Sequence, residues 1–160
     1  VVSQQISTKA ADSITQKLRI LIDDDFSPSR LLSISHDGLR GAGLSGAKAR
    51  TVTELAEAII SGRISVNDFE EMSDADITAD LTQVWGIGRW TVEMFLMFSL
   101  ARLDVWPSGD LGVRRGWSLI KGEQMLDAKA LEPLGEPFRP YRSIVAWYCW
   151  QATDLLKEPK

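Results

Sequence analysis

An all-α fold is predicted by three features of this chain. No segment alternates apolar and polar residues for long enough to build a sheet. Apolar residues instead recur at helical spacing, as in Val52, Leu55, Ala56, Ile59 and Ile60. Between these periodic stretches lie short polar turns marked by Ser, Asp, Gly and Pro.

Taken in order, an amphipathic helix is expected from residue 1 to about residue 22, stopped by Asp23-Asp24-Asp25 and Pro28. Short helices are expected over 29–33 and 36–41. A longer one over 45–61 presents the apolar face named above and is stopped by Gly62. A short helix over 67–72 follows. Residues 73–84 open on Ser-Asp-Ala-Asp, a capping arrangement with acids in the first turn, and place Ile77, Leu81 and Val84 on one face. Residues 87–101 carry Trp90, Val92, Met94, Phe95, Leu96, Met97, Phe98 and Leu100 with almost no polar stripe, so this helix belongs in a core. Helices over 111–121 and from 139 to about 156 complete the set. No internal repeat or flexible linker interrupts it, and residues 1–160 are expected to form a single domain.

The most informative stretch joins two of these helices. Gly86 and Gly88 flank Ile87 just before the apolar run, where they allow a tight bend and leave amide N–H groups at a helix N-terminus. Such an end attracts phosphate, although Gly-x-Gly before a helix is equally a plain structural turn. A dinucleotide-binding fold is excluded. It would need a preceding strand and a third glycine, whereas position 91 is threonine and the upstream residues read as helix.

Composition narrows the chemistry. At 44% hydrophobic, 160 residues allow one well-packed domain, and no apolar run is long enough for a membrane span, so no membrane partner is expected. No signal peptide is visible, and the single cysteine, Cys149, supplies no disulfide framework; an intracellular location is expected. One cysteine cannot hold an iron–sulfur cluster, which takes four thiolates, and one histidine, His36, makes a histidine-rich zinc site improbable. His36 is expected at the surface or near a cap. A net charge of −4 and a pI near 5.0 count against nucleic-acid binding. Against this, Arg89, Arg102, Arg114 and Arg115 gather in the sequence near the glycine turn and the loop after it, while many acids lie at 23–25 and 70–80, so a basic front and an acidic back are expected.

Val84-Trp85-Gly86-Ile87-Gly88-Arg89-Trp90-Thr91 resembles the helix-hairpin-helix of the base-excision DNA glycosylase superfamily. Pro107-Ser108-Gly109-Asp110-Leu111-Gly112-Val113 is similar to that superfamily's Gly/Pro-rich loop with its essential aspartate, and the resemblance is greatest to the 3-methyladenine DNA glycosylase branch. Val2-Ser3-Gln4-Gln5-Ile6-Ser7, Lys9-Ala10-Ala11, Gly43-Leu44-Ser45, Ala47-Lys48, Pro140-Tyr141-Arg142-Ser143 and the segment 147–150 agree with it in order. The chain has no initiator methionine and opens on an apolar helix, whereas members of the family have further N-terminal residues, so it is expected to lack some of them.

The resemblance implies a monofunctional glycosylase of base excision repair. It would flip an alkylated purine out of double-stranded DNA, hydrolyse the N-glycosidic bond and leave an abasic site, acting as a DNA-associated monomer in the cytoplasm and nucleoid or in the nucleus. Asp110 is the implied catalytic residue. By position alone it is an N-cap for the helix over 111–121; with the resemblance, its carboxylate stabilises oxocarbenium-like charge or orients water. Trp90 stands where strand-cutting relatives carry a Schiff-base lysine, so no imine forms there. Trp90 and Trp150 match base-pocket positions, where an indole face favours a cationic base by about 1–2 kcal/mol. Trp85, Trp106, Trp117 and Trp147 are expected in the core.

For DNA contact the resemblance implies Leu44 as an apolar wedge, with Lys48, Gly86, Gly88, Arg89 and Thr91. It also implies a Na+ or K+ held by the carbonyls of Thr82, Val84 and Gly86, with no cofactor required. Two other classes stay open: an inert helix-hairpin-helix DNA-binding module, and an all-α protein-interaction domain.

Overall fold

The fold is seen in a computed structural model that describes residues 1–156, and every regular element among them is an α-helix or a 3-10 turn. The chain divides into two compact units, Val1–Val92 and the residues from Glu93 onward.

In the first unit, α1 (Thr8–Leu21), α2 (Pro28–Ser33), α3 (His36–Gly41), α4 (Gly46–Ile60) and α5 (Asp74–Leu81) each begin at a serine. Ser7, Ser27, Ser35, Ser45 and Ser73 each accept the backbone N–H three residues on, satisfying one of the donors that a helix start leaves over. α2 and α3 pack on α4. Leu18, Ile22, Leu39, Ala42, Leu44 and Ala49 form a core there, with Val2, Ile14 and Leu31 packed against it. α6 (Arg89–Phe98) starts at the end of this unit and continues into the second.

The second unit holds α7 (Leu111–Lys121), α8 (Ala128–Leu131), a 3-10 stretch over Glu132–Phe138 and α9 (Arg142–Leu155). α7 lies along α9, and Trp106, Val113, Trp117, Leu131, Ala146 and Cys149 make the core between them. Trp106 meets Trp117 edge-on at 5.8 Å, and Trp117 meets Phe138 edge-on at 6.0 Å.

Several expected boundaries move for identifiable reasons. The first helix begins at Thr8, because residues 2–6 form a turn with Gln5 in the left-handed region (φ 56°) and Ser7 is the cap. Pro28 starts α2 at its first position, where a missing N–H costs nothing; α1 is ended by Asp23 and Asp24, both left-handed. The expected helix over 67–72 is only the 3-10 turn Val66–Asp68, since Phe69 alone of that stretch is buried. α6 ends at Phe98, with Ala101 turned left-handed. α8 and the 3-10 stretch after it are additions to the expected set: α8 has only four residues, and the stretch after it carries Pro133 and Pro137.

Candidate nucleic-acid interface and carboxylate site

The glycine hairpin is built by α5, α6 and the residues of the first unit that touch the turn between them. After α5, Val84 N–H bonds back to Leu81 O at 3.2 Å and Ile87 N–H to Val84 O at 3.1 Å, curling the chain. Gly86 sits at φ +83°, and a Cβ there would lie 2.1 Å from Thr51 Oγ1 on α4. Only glycine fits. Gly88 differs: its φ is ordinary and a Cβ would meet nothing within 4 Å. Its carbonyl accepts Thr91 N–H (2.9 Å) and Val92 N–H (3.2 Å), so it closes the first turn of α6, and the amides before that turn point out of the helix start.

Three side chains brace this turn from behind. Glu54 on α4 accepts Trp85 N–H at 3.3 Å and Arg50 Nε–H at 2.8 Å, while the Arg50 guanidinium lies 4.3 Å from the Trp85 ring centroid. The Arg50 hydrogen bond holds the Glu54 carboxyl below its usual range. Gln4 Nε2 donates to Thr91 Oγ1 at 2.6 Å and to Gly86 O at 3.3 Å. Arg89 and Trp90 are exposed on the first turn of α6.

Two expected DNA contacts are placed otherwise. Leu44 is only 3% exposed and belongs to the core of the first unit, so the fold keeps this apolar side chain away from solvent and does not offer it as a wedge. Lys48 spends its ammonium internally, donating to Val2 O at 2.8 Å and Gln4 O at 2.7 Å, which ties the N-terminal turn to α4.

In the second unit, residues 102–110 deliver the aspartate. α9 pins this loop at its start. Ser143 Oγ donates to Arg102 O (2.7 Å) and accepts Val105 N–H (2.9 Å), Ser143 N–H reaches Leu103 O (2.9 Å), and Arg142 clasps Asp104 through both carboxylate oxygens. Burial alone would raise the Asp104 carboxyl, but Arg142 and Arg139 together bring it below its usual range. Farther along, Ser108 Oγ donates to Glu132, and Trp106 Nε1 donates to Leu131 O at 3.2 Å.

Asp110 is the N-cap of α7. Its Oδ1 accepts both Val113 N–H and Trp150 Nε1–H, each at 2.8 Å. The indole of Trp150, tilted 30° against Phe98 at 5.7 Å, therefore holds the carboxylate as well as offering a face. Gly112 makes the approach possible, since a Cβ there would sit 2.7 Å from the Trp150 ring.

Trp106 and Trp117 are in the core as expected. Trp85 and Trp147 are not: each is roughly half exposed, Trp85 under Arg50 and Trp147 edge-on to Tyr148 at 5.4 Å. Of the four arginines, Arg114 is committed inward, with Nε donating to Leu126 O at 2.8 Å, while Arg115 is exposed. Among the acids, Asp23 and Asp24 are paired with Arg30 and Arg19 at 2.6 Å. His36 is exposed beside a cap, with Nε2 3.4 Å from Gly46 O. The segment 2–7 resembles the family's early helix, but nothing in it sets Gln4 apart from its polar neighbours Ser3, Gln5 and Ser7, so the role of that side chain emerges only in the fold.

A glycine hairpin between two helices, followed by a proline- and glycine-containing loop that ends in a helix-capping aspartate, defines the helix-hairpin-helix class of base-excision folds. A family model described as "HhH-GPD superfamily base excision DNA repair protein" matches residues 1–139, and the chain belongs to that superfamily. It is 35% identical over 159 residues to DNA-3-methyladenine glycosylase 1 of Schizosaccharomyces pombe, covering 97% of this chain and 70% of that protein. Among solved structures, the Schizosaccharomyces pombe 3-methyladenine DNA glycosylase in complex with abasic DNA superposes with a TM-score of 0.88 at 34% identity, over 99% of this chain and 79% of that one. A DNA-3-methyladenine glycosidase from Bacillus halodurans gives 0.86 at 36% identity, over 98% of this chain and 74% of that one.

Proposed function

We propose that this chain is a DNA glycosylase of base excision repair that removes alkylated, 3-methyladenine-like purines from double-stranded DNA by hydrolysis. The observation that carries the reading is Asp110, an aspartate fixed by two donors at the end of the Gly/Pro-rich loop. Similarity to proteins named 3-methyladenine glycosylases supplies the substrate class.

In this reading the extruded purine leaves with the electron pair of its N-glycosidic bond. Charge of oxocarbenium type develops on the deoxyribose, where the Asp110 carboxylate stabilises it, and water adds at C1′ and loses a proton. A methylated purine already carries positive charge, so it departs without a strong general acid. Each of Trp90 and Trp150 offers an indole face to such a base. Position 90 supplies no amine, so no imine forms and the strand stays intact.

Phosphate is received at the hairpin by the amides around Gly86 and Gly88, with Arg89 and the Thr91 hydroxyl beside them. The carbonyls of Thr82, Val84 and Gly86 suit a Na+ or K+ ion. They are neutral oxygen donors, and Val84 O and Gly86 O each keep a second lone pair beyond the Ile87 and Gln4 donors they already accept. Such an ion would add positive charge next to the phosphate. The chain's one cysteine leaves no place for an iron–sulfur cluster in this scheme. The protein acts as a monomer inside the cell, in the compartment that holds its DNA; no helix among the described residues is long and apolar enough to cross a membrane.

Single-turnover release of free base from methylated duplex DNA tests the proposal. Asp110→Asn is expected to slow release by on the order of 100-fold or more, with the abasic product uncut. Binding to duplex DNA without release by the wild-type chain would point to an inert binding module, and unchanged release by Asp110→Asn would remove the catalytic assignment.

A further inference from the structure

The side chain of Gln4 bridges the two ends of the hairpin tip. Its carboxamide nitrogen faces the Gly86 carbonyl, which can only accept, and this fixes which way round the amide lies. The same nitrogen donates to Thr91 Oγ1 at 2.6 Å. Residues 86 and 91 bracket Ile87–Gly88–Arg89–Trp90, so one amide group spans the tip and sets its opening.

The bridge is itself anchored. Lys48 donates to the carbonyls of Val2 and Gln4, and Gln4 N–H reaches Val1 O at 3.2 Å, so the backbone that carries the amide is held against α4. A hydroxyl has one proton to give and lone pairs to accept with. Because the Thr91 oxygen accepts from Gln4, its own proton does not go to Gln4 and is left for another acceptor. The Gly86 carbonyl is likewise held in one orientation within a turn whose glycine has no alternative residue.

We propose that Gln4 is a positioning residue for the phosphate-binding hairpin, acting through the Thr91 hydroxyl and the Gly86 carbonyl, with Lys48 as its anchor. This rests on the reading of the hairpin as the DNA contact given above. It assigns Lys48 a structural task in place of a phosphate contact. Gln4 carries no charge and touches no phosphate, so its effect must show in affinity and not in the count of ions released on binding.

The experiment compares the wild-type chain with Gln4→Ala, Gln4→Met, Thr91→Val and the Gln4→Ala/Thr91→Val double variant. The probes are duplex binding over a salt series, the single-turnover rate of base release at saturating protein, thermal melting, and amide hydrogen exchange of residues 87–90 in the free protein. Both Gln4 variants are expected to weaken duplex binding roughly tenfold, the effect of losing about one hydrogen bond's worth of alignment. The saturated release rate, the slope of affinity against salt and the melting temperature should hold, while exchange at the hairpin tip accelerates. The losses in the double variant should fall short of the sum of the two single losses, because both variants remove the same Gln4–Thr91 contact.

Wild-type affinity in Gln4→Ala, or losses that simply add in the double variant, would overturn the proposal while leaving the glycosylase reading intact. A changed salt slope would also overturn it, by showing that the substitution alters the charged contacts to phosphate and not only the alignment of the hairpin. If the wild-type chain fails to bind duplex DNA although tip exchange still quickens in Gln4→Ala, the reading of the hairpin as a phosphate site falls and takes the proposal with it.

Discussion

The indole N–H of Trp150 reaches the same carboxylate oxygen that caps α7. A hydrogen bond from a neutral donor to a charged acceptor is worth about 1.5–3 kcal/mol, and here it restricts the rotation of the Asp110 side chain as well. Trp150→Phe keeps an aromatic ring beside Phe98 and removes the Nε1–H donor together with part of the indole face. Single-turnover base release should fall roughly 10- to 100-fold in that variant, with a melting temperature lower by a few degrees, about what the loss of that bond from the folded protein predicts. A rate within twofold of wild type would mean that the Trp150 bond is not needed to orient the carboxylate. Sequence showed Asp110 and Trp150 as separate candidates, because 40 residues part them; that one holds the other emerges only when α7 and α9 pack together.

At the scale of elements, α9 acts as a clamp on the loop that carries Asp110. Ser143 is buried and satisfies both the Val105 N–H and the Arg102 carbonyl. Ser143→Ala strands those groups and should cost about 1–3 kcal/mol, or roughly 2–12 °C in melting temperature for a chain of this size. An unchanged melting curve would show that water replaces the hydroxyl there. The helices themselves were legible wherever apolar spacing was strong, as in α4 and α7, and wherever a serine stood at the start. The N-terminal turn was misread because its apolar residues mimic a helical face, while the left-handed Gln5 that breaks it carries no sequence signal. α8, four residues long, is too short to show an apolar period in the sequence, and the 3-10 stretch after it holds two prolines. Leu44 was misplaced for a similar reason: a turn leucine reads the same whether its side chain faces solvent or core, and burial decides it.

For the molecule as a whole, alkaline pH offers a clear limit. Burial pushes the Cys149 thiol up from 9.0 to about 11. The folded-state value lies above the unfolded one, so the stabilisation is complete below pH 9 and is lost as pH rises toward 11, because the unfolded thiol ionises first. Over that window the loss from this group is on the order of 2 kcal/mol. Cys149→Ser or Ala should flatten the alkaline limb of the stability profile, and a thiol reagent at pH 8 should modify Cys149 only under unfolding conditions. Fast modification of the native protein at that pH would contradict the burial.

The net charge of −4 fits this picture once the charges are placed. Two of the acids at 23–25 are neutralised by local arginines, and Asp104 and Glu136 are bound up with Arg139 and Arg142. Attraction for DNA then falls to a few groups and to oriented amides. The two glycines of the hairpin mark the division between folding and contact. Chain drift can sample position 88 freely as far as folding is concerned, whereas position 86 is closed by Thr51. A library of random variants sorted first for solubility and then for repair in living cells would separate them. Substitutions at residue 86 are expected to be purged in the first sieve and those at residue 88 only in the second, two positions apart in the chain with different tolerances.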